Sequence, residues 1–177
     1  MIQTDILIIG AGPVGLFTIF EAGLMQLHCH VIDAIPQVGG QLKEIYPKKP
    51  IYDIPAVPEC TGEKLTNNLI EQIKPFKTNF HLSDRVEEIK KENNSWFIKT
   101  IKGKEFKASS VIIAGGVGSF EPRKFFVKEC EKFEGKEILY SVKDKSIFKD
   151  KTVLIFGGSD SALDWTIELS NNSNVKL

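Results

Sequence analysis

Three glycines raise the first chemical question. Gly10, Gly12 and Gly15 stand in the spacing GxGxxG, directly after the apolar run Ile6 to Ile9 and directly before a helical pattern. Binding of a pyrophosphate asks for this combination. The first glycine permits a tight turn, the second lets the main chain approach the phosphates, and the third lets helix and strand pack closely. The N-terminus of the helix then offers free N–H groups and a partial positive charge. Pro13 suits the first helical turn, where no N–H is needed. The next apolar strand, CHVIDA, ends in Asp33, about 20 residues on, the interval at which a carboxylate meets ribose hydroxyls. An acid there repels a 2′-phosphate, so this first site is expected to take FAD or NAD rather than NADP. The plain alternative is a glycine turn kept for packing alone.

A second glycine turn lies near the other end. Gly157, Gly158, Ser159, Asp160, Ser161 and Ala162 follow the apolar run KTVLIF and precede another helical pattern. Alanine at the last position is an accepted variant, whereas a Cβ at the middle position crowds a phosphate. Gly157, Gly158, Asp160, Ser161 and Ala162 are therefore candidates for a second dinucleotide site, with a simple packing turn as the alternative. Between the two turns, SSVIIAGG reads as a buried strand whose small exit residues let the chain pass close to a cofactor.

The elements that must position these residues follow from the hydrophobic periods. Strand, glycine turn, helix and strand form a βαβ unit over residues 6–34. Residues 36–60 show no helical period and hold five prolines and Gly39-Gly40, a long loop of the kind that is usually functional. Thr61 is placed to cap a helix that carries Leu65, Leu69, Ile70 and Ile73 on one face, and Pro75 ends it. Residues 79–107 alternate with period two and turn at Asn93-Asn94 and Lys102-Gly103, which predicts an antiparallel meander. KTVLIFGG predicts a second buried strand.

Composition narrows the classes. The chain has 177 residues, 42% of them hydrophobic and 26% charged, as expected of a soluble globular protein. Lys+Arg and Asp+Glu both number 23, so no nucleic-acid or membrane-surface role is expected. No apolar run reaches the roughly 20 residues of a membrane helix. The opening Met-Ile-Gln-Thr-Asp has no basic region of a secretory signal. Cys29, Cys60 and Cys130 are odd in number, far apart and without a CxxC pair, which predicts a reducing, cytoplasmic setting. His28 and His30 flank Cys29, but no carboxylate cluster joins them and no metal site is predicted. There is no Ser/His/Asp or Cys/His constellation, so no catalytic side chain is named.

Taken together, the first glycine turn, VIDAIPQVGGQLKEIYPKKPIYDIPAVPE, VIIAGG and GGSDSALDW resemble the flavoprotein reductases with two dinucleotide domains. Within them the chain is most similar to the thioredoxin-reductase-like ferredoxin–NADP(+) reductases. The resemblance implies an α/β fold: a Rossmann-like FAD-binding domain of three-layer ββα type with an antiparallel meander, over 1–118, and the start of a Rossmann-like NADP(H) domain over 119–177. It implies FAD and NADP(H) as cofactors, ferredoxin or a similar iron–sulfur carrier as partner, and a homodimer at full length. Gly10, Gly12, Pro13 and Gly15 would face the pyrophosphate and Asp33 the ribose. Gln41 and Tyr46 would sit at the flavin end, Val86 at the adenine, and Phe120 beside the FAD site. Without the resemblance, Tyr46 reads equally as a loop anchor, Val86 and Phe120 as core, and Gln41 as solvated. Thioredoxin reductases carry a redox-active CxxC before the second glycine turn, and here ILYSVKDKSIFKDKTVLIFGG has no cysteine. Thiol–disulfide chemistry is therefore disfavoured. The alternatives are another NAD(P)H-dependent flavin reductase or a nucleotide-binding fragment without turnover. Because members of the family run on well past the second turn, the chain is expected to be an N-terminal fragment.

Overall fold

Leu7 and Ile8 are both fully buried, and successive residues of a strand point to opposite faces. Strand β1 (Ile2–Ile9) therefore has apolar layers on both sides. The computed structural model that shows this describes residues 1–119, 124–125, 127–142 and 144–177. The chain divides into two compact units, Met1–Arg123 and Lys124–Leu177.

In the first unit, β1 leads through the glycine turn into helix α1 (Pro13–Leu24) and on to β2 (Cys29–Ile32). The long proline-rich segment contains a one-turn helix, α2 (Gln41–Glu44), and a small antiparallel pair, β3 (Pro50–Ile51) and β4 (Cys60–Thr61). Helix α3 (Gly62–Ile73) follows, then β5 (Thr78–His81), β6 (Val86–Glu92), β7 (Ser95–Thr100) and β8 (Glu105–Ile113). Six strands make one sheet in the order β5-β2-β1-β8-β7-β6. The pairs β5–β2, β2–β1 and β1–β8 are parallel, and β8–β7 and β7–β6 are antiparallel.

Two apolar clusters explain the layering. Ile8 and Val31 pack with Leu16, Ile19 and Ala22 of α1 and Ile73 of α3, which puts both helices on one face. Leu7 and Ile32 pack with Ile98, Phe106 and Ala108, so the meander folds back over the other face. This is the expected α/β arrangement of helices, parallel sheet and meander. Thr61 caps α3 as its type predicts: its Oγ1 accepts the Lys64 N–H at 3.2 Å.

Two strand expectations in this unit need correction. Thr78–His81 does not open the meander but pairs parallel with β2. It follows a crossover helix, and such a connection returns the chain parallel. The 109–113 stretch is the second half of one nine-residue strand and is not fully buried: Ile113 is 73% exposed. Among the described residues β7 pairs with β8 only as far as Ala108.

The second unit holds two short 3-10 turns (Cys130–Phe133 and Lys145–Phe148), β9 (Thr152–Leu154), α4 (Asp160–Ser170) and β10 (Asn174–Lys176). β10 pairs parallel with β9, a second βαβ unit. KTVLIFGG is less buried than its sequence predicts, with Leu154 60% and Phe156 71% exposed. A sheet of two strands with one helix covers only one of its faces. Among the described residues no helix is long and apolar enough to cross a membrane.

Candidate dinucleotide-binding site

The glycine turn is shaped by close contact. Gly10 has φ +109°, and a Cβ on it would lie 2.3 Å from the Ala114 carbonyl oxygen at the exit of β8. A Cβ on Gly15 would lie 2.0 Å from the Gly10 oxygen, so helix and strand touch through main chain. Gly12 differs. A Cβ there would meet nothing nearer than the Gly40 Cα at 3.9 Å, so that side of the turn is open. Gly12 is the N-cap of α1, with no side-chain cap bond and no acid in the first turn. The helix thus presents uncapped N–H groups and its positive end.

Asp33 sits across from this turn, and its carboxylate is partly engaged. Oδ2 accepts the Ala11 N–H at 2.6 Å and Oδ1 accepts the Ile35 N–H at 2.9 Å. A carboxylate has about four lone-pair sites, so capacity remains for hydroxyl donors. The acid therefore fixes the glycine turn as well as facing the space beside it.

That space is a cleft of about 570 Å³ at the carboxyl ends of β1, β2 and β8. Open α/β sheets bind ligands at this end. Gly10, Gly12, Pro13, Asp33, Gln41, Tyr46 and Val86 all line it. Gly15 does not; it lies buried behind the turn. Gln41 reaches the β8 exit, where a Cβ on Gly116 would sit 3.3 Å from its Nε2. Tyr46 is also packed against the cluster of Leu42, Cys60 and Leu65, and Val86 against the meander core, so each combines a packing role with a cleft position. Phe120 lies outside the described residues.

The cleft has walls the motif did not announce. Gly40 crosses over the glycine turn, and a Cβ on it would be 2.9 Å from the Gly12 Cα. Gly39 donates its N–H to the Ala11 oxygen at 2.9 Å. The Gly39-Gly40 pair was the available signal. Gly115 and Gly116, the small exit residues of SSVIIAGG, line the cleft as expected; Asp84, Arg85, Val117, Gly118 and Ser119 line it too, and no spacing marks them.

The second turn lies in the other unit. Gly157 and Gly158 lead from β9 toward α4, and a Cβ on Gly157 would be 3.3 Å from the Ala162 Cβ. Ala162 is buried. Asp160 places a negative charge in the first turn of α4, where Ser161 also stands. The helix end is less welcoming to a phosphate than that of α1.

Cys29 and Cys60 are buried, and Cys130 is partly so. Burial, with the Asp5 carboxylate nearby, pushes the Cys29 thiol up to about 11. No group of three or more His, Cys, Asp or Glu that could hold a metal occurs among the described residues.

The sequence pattern of the family described as pyridine nucleotide-disulphide oxidoreductase matches residues 7–177. The chain belongs to this family. A protein of Pelagibacter ubique named ferredoxin–NADP reductase is 65% identical over 177 residues, which is all of this chain and 52% of that protein. A ferredoxin–NADP reductase 1 of Christiangramia forsetii is 55% identical over 172 residues, 97% of this chain and 49% of that one. The chain thus spans about half the length of these relatives. Among solved structures, thioredoxin reductase of Lactococcus lactis superposes with a TM-score of 0.78 at 23% identity, over 97% of this chain and 55% of that one. Thioredoxin reductase of T. acidophilum gives 0.77 at 22% identity, over 99% and 55%. At these identities the structural likeness speaks for the fold.

Proposed function

We propose that this chain carries the FAD-binding part, and the opening of the NADP(H)-binding part, of a flavoprotein reductase that passes electrons from NADPH to ferredoxin or a similar iron–sulfur carrier. The carrying observation is the cleft: an uncapped helix N-terminus, an open Gly12 and the Asp33 carboxylate converge on one side of it, with Gln41 and Tyr46 further along. These groups fit an adenine dinucleotide. Main-chain N–H groups of α1 would hold the pyrophosphate, Asp33 the ribose hydroxyls, Val86 the adenine, and Gln41 and Tyr46 the flavin end. When bound, FAD supplies the chemistry that accepts a hydride and releases single electrons. The chain's own residues bind, orient and shield it, so no side-chain acid or nucleophile is needed. The Gly157–Ala162 turn would take the NADP(H) pyrophosphate. The names of the relatives support ferredoxin as acceptor, and the dispersed cysteines, two of them buried, argue against a dithiol relay. The same reading places the protein in the cytoplasm as a homodimer.

A second reading is a nucleotide-binding unit without turnover. It is favoured by the exposed β9–β10 sheet. Flavin fluorescence on titrating FAD into the chain tests the first step. Saturation near one FAD per chain is expected, and no uptake would sink the FAD assignment. NADPH-dependent reduction of a ferredoxin, compared with a disulfide substrate, then separates the two readings. Reduction of ferredoxin alone supports the reductase, and FAD uptake with no reduction of either supports the second.

A further inference from the structure

Behind Asp33, two histidines from adjacent parallel strands form a chain of polar contacts that the cleft itself does not use. His30 Nδ1 and His81 Nε2 are 2.9 Å apart, and the rings lie near-parallel at 13° with centroids 5.2 Å apart. Both rings meet Phe106 edge-on, at 5.9 and 5.0 Å. Lys104 Nζ, in the β7–β8 turn, lies 3.1 Å from His81 Nδ1. The Asn79 amide lies 3.3 Å from His30 Nε2.

The order of donors is forced from one end. An ammonium only donates, so His81 Nδ1 must accept. The His81 proton then sits on Nε2 and is donated to His30 Nδ1. His30 in turn carries its proton on Nε2, toward the Asn79 amide oxygen once that amide is turned. Both rings are neutral in this arrangement. One added proton breaks it wherever it lands. On His81 Nδ1 it faces the Lys104 ammonium. On His30 Nδ1 it faces the His81 N–H, and if His81 shifts its own proton to Nδ1 to accept, that proton faces Lys104.

The chain is tied to the cleft through main-chain bonds. The Asp33 N–H is donated to the His81 carbonyl at 3.1 Å, and the Asp84 N–H to the Asp33 carbonyl at 3.0 Å. The turn that carries Lys104 also donates the Lys102 N–H to Asp84 Oδ1 at 3.3 Å and the Ile101 N–H to the Arg85 carbonyl at 2.9 Å. Lys104 therefore helps hold the meander turn against the loop that frames Asp33 and lines the cleft with Asp84, Arg85 and Val86.

We propose that the Lys104–His81–His30 chain is a proton-sensitive latch that positions Asp33 and the 84–86 edge of the cleft, closed when both imidazoles are neutral and opened by one proton. Every charged neighbour of the pair fits this sign except one. Burial first and then His28 hold His30 below its ordinary range. Burial, Lys104 and His30 hold His81 down, and only Asp84 pulls it up. With both imidazoles depressed in the fold, the unfolded chain binds more protons. The latch is then fully closed above the ordinary histidine value of 6.5 and is lost as pH falls through the lower folded values. That the cleft feels this as dinucleotide affinity rests on the function proposed above.

The test is NMR of the ¹⁵N-labelled, ligand-free chain from pH 8 to pH 5, for the wild type and Lys104→Ala, a change at an exposed side chain. At pH 8 both imidazoles should be neutral with the proton on Nε2. The amide signals of Asp33, Ala11 and Lys102 should then move with the same midpoint as the two rings. In Lys104→Ala those amides should already resemble the acid form at pH 8. Titration of the rings with Asp33 and Ala11 unmoved overturns the proposal, as does a proton on His81 Nδ1 at pH 8. A parallel FAD titration should show affinity falling roughly three- to tenfold with acidification, and less in Lys104→Ala. Coupled amides with no FAD uptake at any pH leave the latch standing and remove the FAD reading. Coupled amides with an affinity independent of pH overturn the latch's hold on the cleft.

Discussion

Gly10 and Gly12 sit two residues apart, and the structure assigns them opposite constraints. Alanine at Gly10 would have to hold φ +109° and place a methyl group against the Ala114 carbonyl. Gly10→Ala is expected to cost roughly 3 kcal/mol or more, read as a lowered urea midpoint. Alanine at Gly12 meets no protein atom nearer than the Gly40 Cα at 3.9 Å, and its backbone (φ −75°, ψ −175°) suits any residue. Gly12→Ala should therefore fold with a loss of about 1 kcal/mol or less as an N-cap, yet weaken FAD binding about tenfold or more by occupying the phosphate approach. A Gly12→Ala protein that bound FAD like the wild type would remove the pyrophosphate from that turn. Asp33 is a mixed case. Asn at this position keeps one acceptor oxygen for two N–H groups, so Asp33→Asn should lose one charge-assisted bond, about 1.5–3 kcal/mol of stability, along with FAD affinity. The glycines and Asp33 were legible in the sequence because their spacing is local. The Ala11 and Ile35 bonds to Asp33 were not, nor was the His30–His81 pair, because both depend on which strands become neighbours.

At the scale of elements, local signals decided what could be read. Thr61 announces α3 by residue type, and the cap bond is present. Thr61→Ala should cost about 1 kcal/mol in urea unfolding without changing FAD affinity. A change in affinity would instead mean that α3, through the Thr66 contact beneath Gly39, shapes the cleft. The βαβ opening was equally plain, since a continuous apolar run before a glycine turn has few other uses. β5 was misread because TNFH alternates like the meander strands that follow it. Only its position after a crossover helix makes it parallel. The one-turn helix α2 has too few residues to show a period, although it carries Gln41 into the cleft.

At the scale of the molecule, the two units differ in how much they bury. The first has apolar layers on both faces of its sheet, built around fully buried Leu7, Ile8, Leu16, Ile98 and Phe106. In the second, Ala162 and Leu169 are the buried apolar residues among those described, while Leu154, Phe156, Leu163 and Ile167 stand half-exposed or more. Burial of apolar surface is the dominant favourable term in folding, and a strand–helix–strand unit with one bare face has little of it. The chain is therefore expected to lose its structure in two steps. Hydrogen exchange should show amides of β9, α4 and β10 exchanging by low-energy opening, while those of β1, β2 and β8 exchange only with global unfolding of the first unit. FAD should then raise protection in the first unit alone, because a ligand stabilises only the fold that binds it. Equal protection in both units would mean that the second gains its stability from contacts beyond its own core. Added NADPH raising protection around Gly157 to Ala162 would show that the second turn holds a nucleotide even with its sheet so thinly covered.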